Sequence, residues 1–188
     1  MSIVKTVTQS VTLEEFLKLP ETKPGSEYIN GNIIQKPMPQ GEHSAIQTEL
    51  ASAINSSLKS KQIARAFCEL RCTFGGRSII PDISVFSWSN IPRKENGGII
   101  NVFSICPDWT IEILSPDQNQ TKVIKNILHC LNYGTQIGWL IDPEEKSIFV
   151  YLPDRPTLVY DDAIAQLPVP EFAQDCRLTV EQLFNYLL

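Results

Sequence analysis

Between Pro107 and Asp142 the sequence reads PDWTIEILSPDQNQTKVIKNILHCLNYGTQIGWLID: an apolar run, a polar turn, a helical segment and a second apolar run. That order predicts a strand, a crossover helix and a second strand, and so an α/β core with a sheet that carries a helix across it. Val123, Ile127, Leu128 and Leu131 set the helical period over about 118–133, and Gly134 is the natural stop. Within the first run one residue breaks the apolar pattern. Glu112 is flanked by Trp109, Ile111, Ile113 and Leu114, which predicts a charge on a largely buried strand, and such a charge is costly unless it is paired or bound to metal.

A second carboxylate stands out upstream, where RSIIPDISVF places Asp82 between two apolar triplets and directly after Pro81. Proline cannot donate to a sheet ladder, so Pro81 predicts an edge, a strand start or a bulge at which the next side chain is re-aimed. Asp82 and Glu112 are therefore expected to face one site. Two carboxylates from neighbouring strands, with lysines following, suit a hard divalent cation that activates water beside a phosphate. The ordinary alternative is a buried structural ion pair with Arg71 or Arg77.

The rest of the chain supplies a frame for these two residues. Thr12-Leu-Glu-Glu15 is a capping box that opens a short helix ending by Pro20, and EYINGNII predicts a hairpin turning at Asn30-Gly31. Ile46, Leu50, Ile54 and Leu58 recur every four residues and predict a long helix over His43–Leu58, with Gln47 and Glu49 beside the stripe. For His43, Gln47 and Glu49 the ordinary reading is a solvated flank or a polar residue at a helix start. A second hairpin is expected about Gly75-Gly76, between ARAFCELRCTF and RSIIPDISVF, followed by a surface excursion over 87–104 that holds Arg93 and Lys94. GWLIDP, SIFVYLP and TLVY predict later strands, and Thr179-Val-Glu-Gln182 opens a closing helix.

Composition narrows the function classes. With 188 residues, 43% of them hydrophobic, one domain spanning 1–188 is expected, its first 40 residues a helix and hairpin and 41–188 the core with the closing helix. No apolar run reaches the roughly 18 residues that cross a bilayer, and the start lacks a basic segment before an apolar one, so a soluble cytoplasmic protein is expected. The formal net charge of −5 argues against tight nonspecific binding to DNA but not against a nuclease, whose metal ligands are themselves acidic. Five cysteines without a CxxC pair argue against a disulfide framework and a structural zinc site, and Cys68 and Cys72 are expected on one face of a strand as small buried hydrophobes.

Pro81-Asp82, then Glu112-Ile-Leu-Ser-Pro116, a helix, and Gly138-Trp-Leu-Ile-Asp-Pro143 together resemble a restriction-endonuclease family of unknown function that is abundant in cyanobacteria, a branch of the PD-(D/E)xK nuclease superfamily. Glu27-Tyr-Ile-Asn-Gly31, His43 and Leu178-Thr-Val-Glu-Gln182 fit the same pattern, so the likeness covers most of the chain. It implies a restriction-endonuclease-like core, a mixed β-sheet flanked by helices. Asp82, Glu112 and the main-chain carbonyl of Ile113 would hold Mg²⁺ or Mn²⁺. The superfamily motif has a lysine two residues after the glutamate, where this chain has Leu114, and the branch commonly carries it on the following helix, at the position of Asn126 here. Lys122, one turn earlier on the same face, is the expected replacement, with Lys125 the weaker candidate. Glu49 would play the part of the helical acid that completes the metal shell.

The resemblance thus implies a metal-dependent endonuclease that hydrolyses DNA, with Asp82, Glu112, Lys122 and Glu49 at the reaction, and a homodimer by analogy. Asp82→Ala is expected to abolish cleavage while leaving the fold intact. The alternatives are a degenerate nuclease fold that binds nucleic acid or protein without cutting, and a purely structural subunit.

Overall fold

The computed structural model describes residues 11–116 and 118–188. The capping box forms as expected: Thr12 Oγ1 accepts from Glu15 N, and Glu15 Oε2 accepts from Thr12 N at 2.8 Å, opening α1 (Leu13–Leu17). Asn30 and Gly31 take positive φ, 51° and 83°, and join β1 (Ser26–Ile29) to β2 (Asn32–Gln35) as a two-residue turn requires. α2 (Gly41–Leu58) starts two residues before the expected helix. There follow β3 (Ala64–Cys68), β4 (Cys72–Phe74), β5 (Arg77–Ile79), β6 (Ile83–Ser87) and β7 (Trp109–Ile113). The irregular excursion between β6 and β7 is where the sequence placed it. The chain continues with α3 (Gln120–Asn132), β8 (Ile137–Asp142), β9 (Ser147–Tyr151), β10 (Leu158–Tyr160) and α4 (Val180–Phe184). None of the described helices is long and apolar enough to cross a membrane.

Among the described residues ten strands form two sheets rather than one. The larger runs β10-β9-β8-β7-β6-β3 and the smaller β2-β1-β5-β4. Among the described strands only β7 and β8 pair in parallel, as a crossover through α3 demands, which makes the larger sheet mixed. α2 lays Ile46, Leu50, Ile54 and Leu58 on one face of that sheet, against Trp109, Ile111, Ile113, Trp139 and Ile141. α3 covers the other face with Val123 and Ile127, which pack on Leu140 and Tyr151. Both faces of β7 are therefore covered and all five of its residues are buried. The pleat sends Trp109, Ile111 and Ile113 to the α2 side and leaves Thr110 and Glu112 on the α3 side. Gly138 is what lets α3 lie close on β8, since a Cβ there would stand 2.4 Å from Ile127 Cγ2.

The second hairpin is broken in a way the sequence only hinted at. β3 pairs with β6 as far as Cys68 and Ile83, while β4 pairs with β5 from Cys72 and Ile79. The tip at Gly75-Gly76 therefore belongs to the small sheet and the base to the large one. Residues 69–71 and 80–82 make the bend between them, with Glu69 at φ 47°. Pro81 sits in this bend because it lacks the amide that a continuous ladder would use. The same bend overturns the expectation for the cysteines: Cys68 is exposed and Cys72 buried, not neighbours on one face.

Candidate active site

A broken ladder leaves backbone groups that must find other partners once buried, and the side chains that satisfy them form the site. Ile80 N donates to Glu27 Oε1 at 2.8 Å, and Ile80 O accepts from Lys36 Nζ at 2.7 Å. Asp82 O accepts from Glu69 N at 3.1 Å and from Gln47 Nε2 at 2.8 Å. The bend thus draws together the first hairpin, α2 and the end of β7. Register explains which hairpin residues arrive. With Asn30-Gly31 as the turn, Glu27 stands opposite Ile34, and Lys36, two residues on, emerges on the same face.

Asp82 is the centre of the cluster, 2% exposed. Its Oδ1 lies 2.7 Å from Lys36 Nζ, and its Oδ2 accepts from Ile113 N at 2.8 Å and lies 3.1 Å from His43 Nε2. Glu112, 4% exposed, stands on the neighbouring β7, where Asp82 and Lys36 act on its charge. Glu27 closes the group from the hairpin, where Asn126 Nδ2 of α3 donates to its Oε2 at 3.2 Å.

Three buried carboxylates and one ammonium do not balance, and the proton affinities divide accordingly. Burial pushes Asp82 up, but Lys36 and His43 beside it outweigh that and hold it well below the carboxylate range. Glu112 goes the other way: burial and the neighbouring Asp82 charge raise it well above its ordinary value, against the pull of Lys36. Glu27 is raised too, chiefly by burial, with the Ile80 amide opposing. Burial works against the Lys36 charge, yet Asp82 and Glu112 overcome it and hold the ammonium above its ordinary range. The cluster therefore favours a charged Asp82–Lys36 pair, and the raised proton affinity of Glu112 answers the excess of negative charge.

His43 links the cluster to an open groove of about 560 Å³ whose walls also include Gln40, Glu42, Gln118, Gln120 and Glu144. His43, Ser115 and Gln118 also line the opening above Asp82, where about 10 Å³ is free between Lys36, Pro37, Pro39 and Glu69. His43 Nδ1 is buried without a partner among the described residues.

Asp82 and Glu112 thus meet as their positions in the sequence led us to expect, and Ile113 meets them through its amide. Other expected residues do not join. Lys122 is exposed on α3 and makes no ion pair or side-chain hydrogen bond with a described residue; its helix turns Asn126 inward instead. Lys125 is exposed as well. Glu49 is exposed on α2, because the bend contacts the helix through His43 and Gln47, one turn apart. The latter two are not the solvated flank residues expected of them. Neither arginine pairs with the carboxylates: Arg71 binds Glu21 and the Ser26 carbonyl, and Lys36 holds the place that Arg71 or Arg77 was expected to take. Leu114 packs into the α3 cluster. Lys36 went unnoticed in the sequence, though a lysine two residues past Ile34 on the inward face of a hairpin was a readable signal.

Residues 13–181 match the family Uma2, whose description is "Putative restriction endonuclease". The chain belongs to this family. A Uma2 likeness this extensive is matched in three dimensions by a 1.96 Å crystal structure from Anabaena variabilis ATCC 29413, of "a putative nuclease belonging to DUF820". The two are 66% identical, the match covers 95% of this chain and 99% of that one, and the TM-score is 0.93. A shorter stretch of 92 residues is 32% identical to the small ribosomal subunit protein uS15c of Pinus koraiensis, covering 48% of this chain and 93% of that protein. The Uma2 match and the solved structure span the core that builds the site, and the family assignment rests on them.

Proposed function

We propose that this Uma2 protein is a metal-dependent DNA endonuclease of the PD-(D/E)xK type, with its reaction at Asp82 and Glu112. One observation carries the reading: Asp82, in the bend before β6, and Glu112, on the neighbouring β7, are both buried with Lys36 as the cation on Asp82, behind His43 and Ser115, which line an open groove. The described residues contain no ready group of three His, Cys, Asp or Glu placed to hold a metal, so the donor chemistry decides the fit. Asp82 and Glu112 are hard oxygen donors in surplus over the ammonium, and that surplus is what raises the proton affinity of Glu112. A hard divalent cation suits such a pair, and Mg²⁺ or Mn²⁺ would be held by Asp82 and Glu112, with the Ile113 carbonyl as third donor. When bound, the ion supplies an activated water and stabilises charge on the phosphate.

The remaining roles belong to the chain itself. Asp82 orients His43 through Nε2, which leaves Nδ1, buried behind the groove wall, as an acceptor for a water that enters there. Glu27 and Asn126 fix the Ile80 amide and so the bend that aims Asp82. Gln40, Gln118 and Gln120 offer neutral hydrogen-bonding groups along the groove, suited to sugar, phosphate or base edges. A homodimer, with two grooves for two strands, completes the proposal.

One observation favours the second reading, a nuclease fold that binds without cutting: the opening above Asp82 has room for one water at most. Supercoiled plasmid and end-labelled duplex, incubated with Mg²⁺ or Mn²⁺, separate the two. Cleavage that requires the metal and is lost in both Asp82→Asn and Glu112→Gln supports the enzyme. Cleavage that survives both substitutions refutes the site, and a wild type inert on every DNA and RNA form supports the binding module.

A further inference from the structure

The Lys36–Asp82 pair is an unusual place for a lysine. Its stem comes from the end of the first hairpin, its side chain is 13% exposed, and its ammonium reaches both Asp82 Oδ1 and the Ile80 carbonyl at 2.7 Å. A lysine is a flexible point charge that loses about 2 kcal/mol of rotamer freedom when fixed. It is held here because the carboxylates would otherwise be buried uncompensated. The ammonium therefore occupies the electrostatic position that a bound cation would take on Asp82, at its Oδ1.

The side chain has one direction in which to leave. Inward lie Ile80, Asp82 and the sheet; outward lies the opening it shares with Pro37, Pro39, His43, Ser115 and Gln118, which meets the groove. We propose that Lys36 is the resident counter-cation of the acidic site, holding Asp82 when no metal is bound and displaced by a divalent ion toward the opening, where its ammonium neutralises the phosphodiester. The proposal rests on the metal-dependent reading above. Lys36 is then the catalytic lysine, supplied by the N-terminal hairpin rather than by β7 or α3, and it competes with the metal for the same carboxylate. A merely structural lysine would not compete: its removal would leave metal affinity unchanged or weaker.

Metal binding and cleavage are read separately. Calorimetry of Mn²⁺ binding to the wild type and to Lys36→Met is expected to show tighter binding in the variant, by about tenfold. Plasmid cleavage by the same variant at saturating Mn²⁺ is expected to fall about a hundredfold. Binding that is no tighter in the folded variant overturns the competition, and undiminished cleavage overturns the catalytic role. Should Lys36→Met fail to fold, the wild type decides: the ¹⁵N signal of the Lys36 ammonium, assigned by its loss in Lys36→Arg, is expected to move as Mg²⁺ is added. A signal unmoved at saturation overturns the displacement. Absence of Mn²⁺ binding in every protein overturns this inference together with the metal reading, whereas binding with no cleavage of any nucleic acid refutes the nuclease reading and the catalytic role of Lys36 and leaves its competition with the metal to be decided by the affinities.

Discussion

Removing the Asp82 carboxylate should cost the fold as well as any reaction, contrary to the expectation from the sequence that Asp82→Ala leaves folding intact. Truncation strands the Lys36 ammonium in a site from which water is nearly excluded and leaves the buried Ile113 amide without its acceptor. Breaking a buried ion pair costs about 3–5 kcal/mol, and an orphaned buried amide about 1–3 kcal/mol. The two do not add, because Glu112, relieved of its charged neighbour, can ionise and take over part of the lysine. A net loss of about 3 kcal/mol is expected, a large share of the roughly 5–15 kcal/mol of a typical domain. That corresponds to a fall in Tm of about 6–12 °C for a chain of this length. Urea unfolding at neutral pH without metal measures it, with Asp82→Asn as the milder comparison, since its amide oxygen still accepts from Ile113. A loss below about 1 kcal/mol for Asp82→Ala would refute the reasoning, because it would mean that Lys36 and the amide reach water once the carboxylate is gone. The consequence for enzymology is practical: lost cleavage in Asp82→Ala is uninterpretable without this measurement.

Glu112 and Asp82 shape the pH dependence with opposite signs. Glu112 binds its proton more tightly in the folded chain, so its contribution to stability is full below the ordinary value of 4.5 and is lost as pH rises through its folded-state value. Asp82, held low, contributes above its ordinary 3.8 and loses that contribution as pH falls toward its folded-state value. Metal-free wild type should thus lose stability as pH rises above 4.5 while Glu112→Gln stays flatter, and parallel unfolding curves for the two across pH 5–8 would count against a proton on Glu112. Glu49→Ala and Lys122→Ala remove exposed side chains and should each change stability by less than about 0.5 kcal/mol, with cleavage within twofold of wild type; a large loss of cleavage in Lys122→Ala would return that lysine to the reaction. Gly138→Ala forces a methyl against Ile127 and should cost about 1–3 kcal/mol by thermal unfolding, and a neutral result would mean that α3 shifts freely on β8.

Much of the architecture was legible because local rules governed it. The capping boxes at Thr12 and Thr179 and the Asn30-Gly31 turn use chemistry complete within four residues, and all three form as expected. The strand–helix–strand order from Trp109 to Asp142 left little choice but a parallel pair with α3 across it. The catalytic candidates divided on the same principle. Asp82 and Glu112 were visible because a charge inside an apolar strand is anomalous wherever it lies. Lys122 was chosen by distance along α3 from the expected position, but the bend brings Glu27 to that helix and Asn126 answers it. Glu49 was chosen from the helix next to His43, and faces solvent because Ile46 and Leu50 take the sheet side.

Sequence alone determined the elements, the mixed α/β class and the two buried acids, since propensity, capping and periodicity act over neighbours in the chain. Only the tertiary structure decided which cation meets those acids. Lys36 lies 46 positions from Asp82 and reaches it because a proline breaks one hairpin between two sheets, and the freed backbone groups of Ile80 must be satisfied by the face of another. A requirement to pair buried polar groups acts across the fold and leaves its mark in sequence only as a lysine just past the end of a short strand.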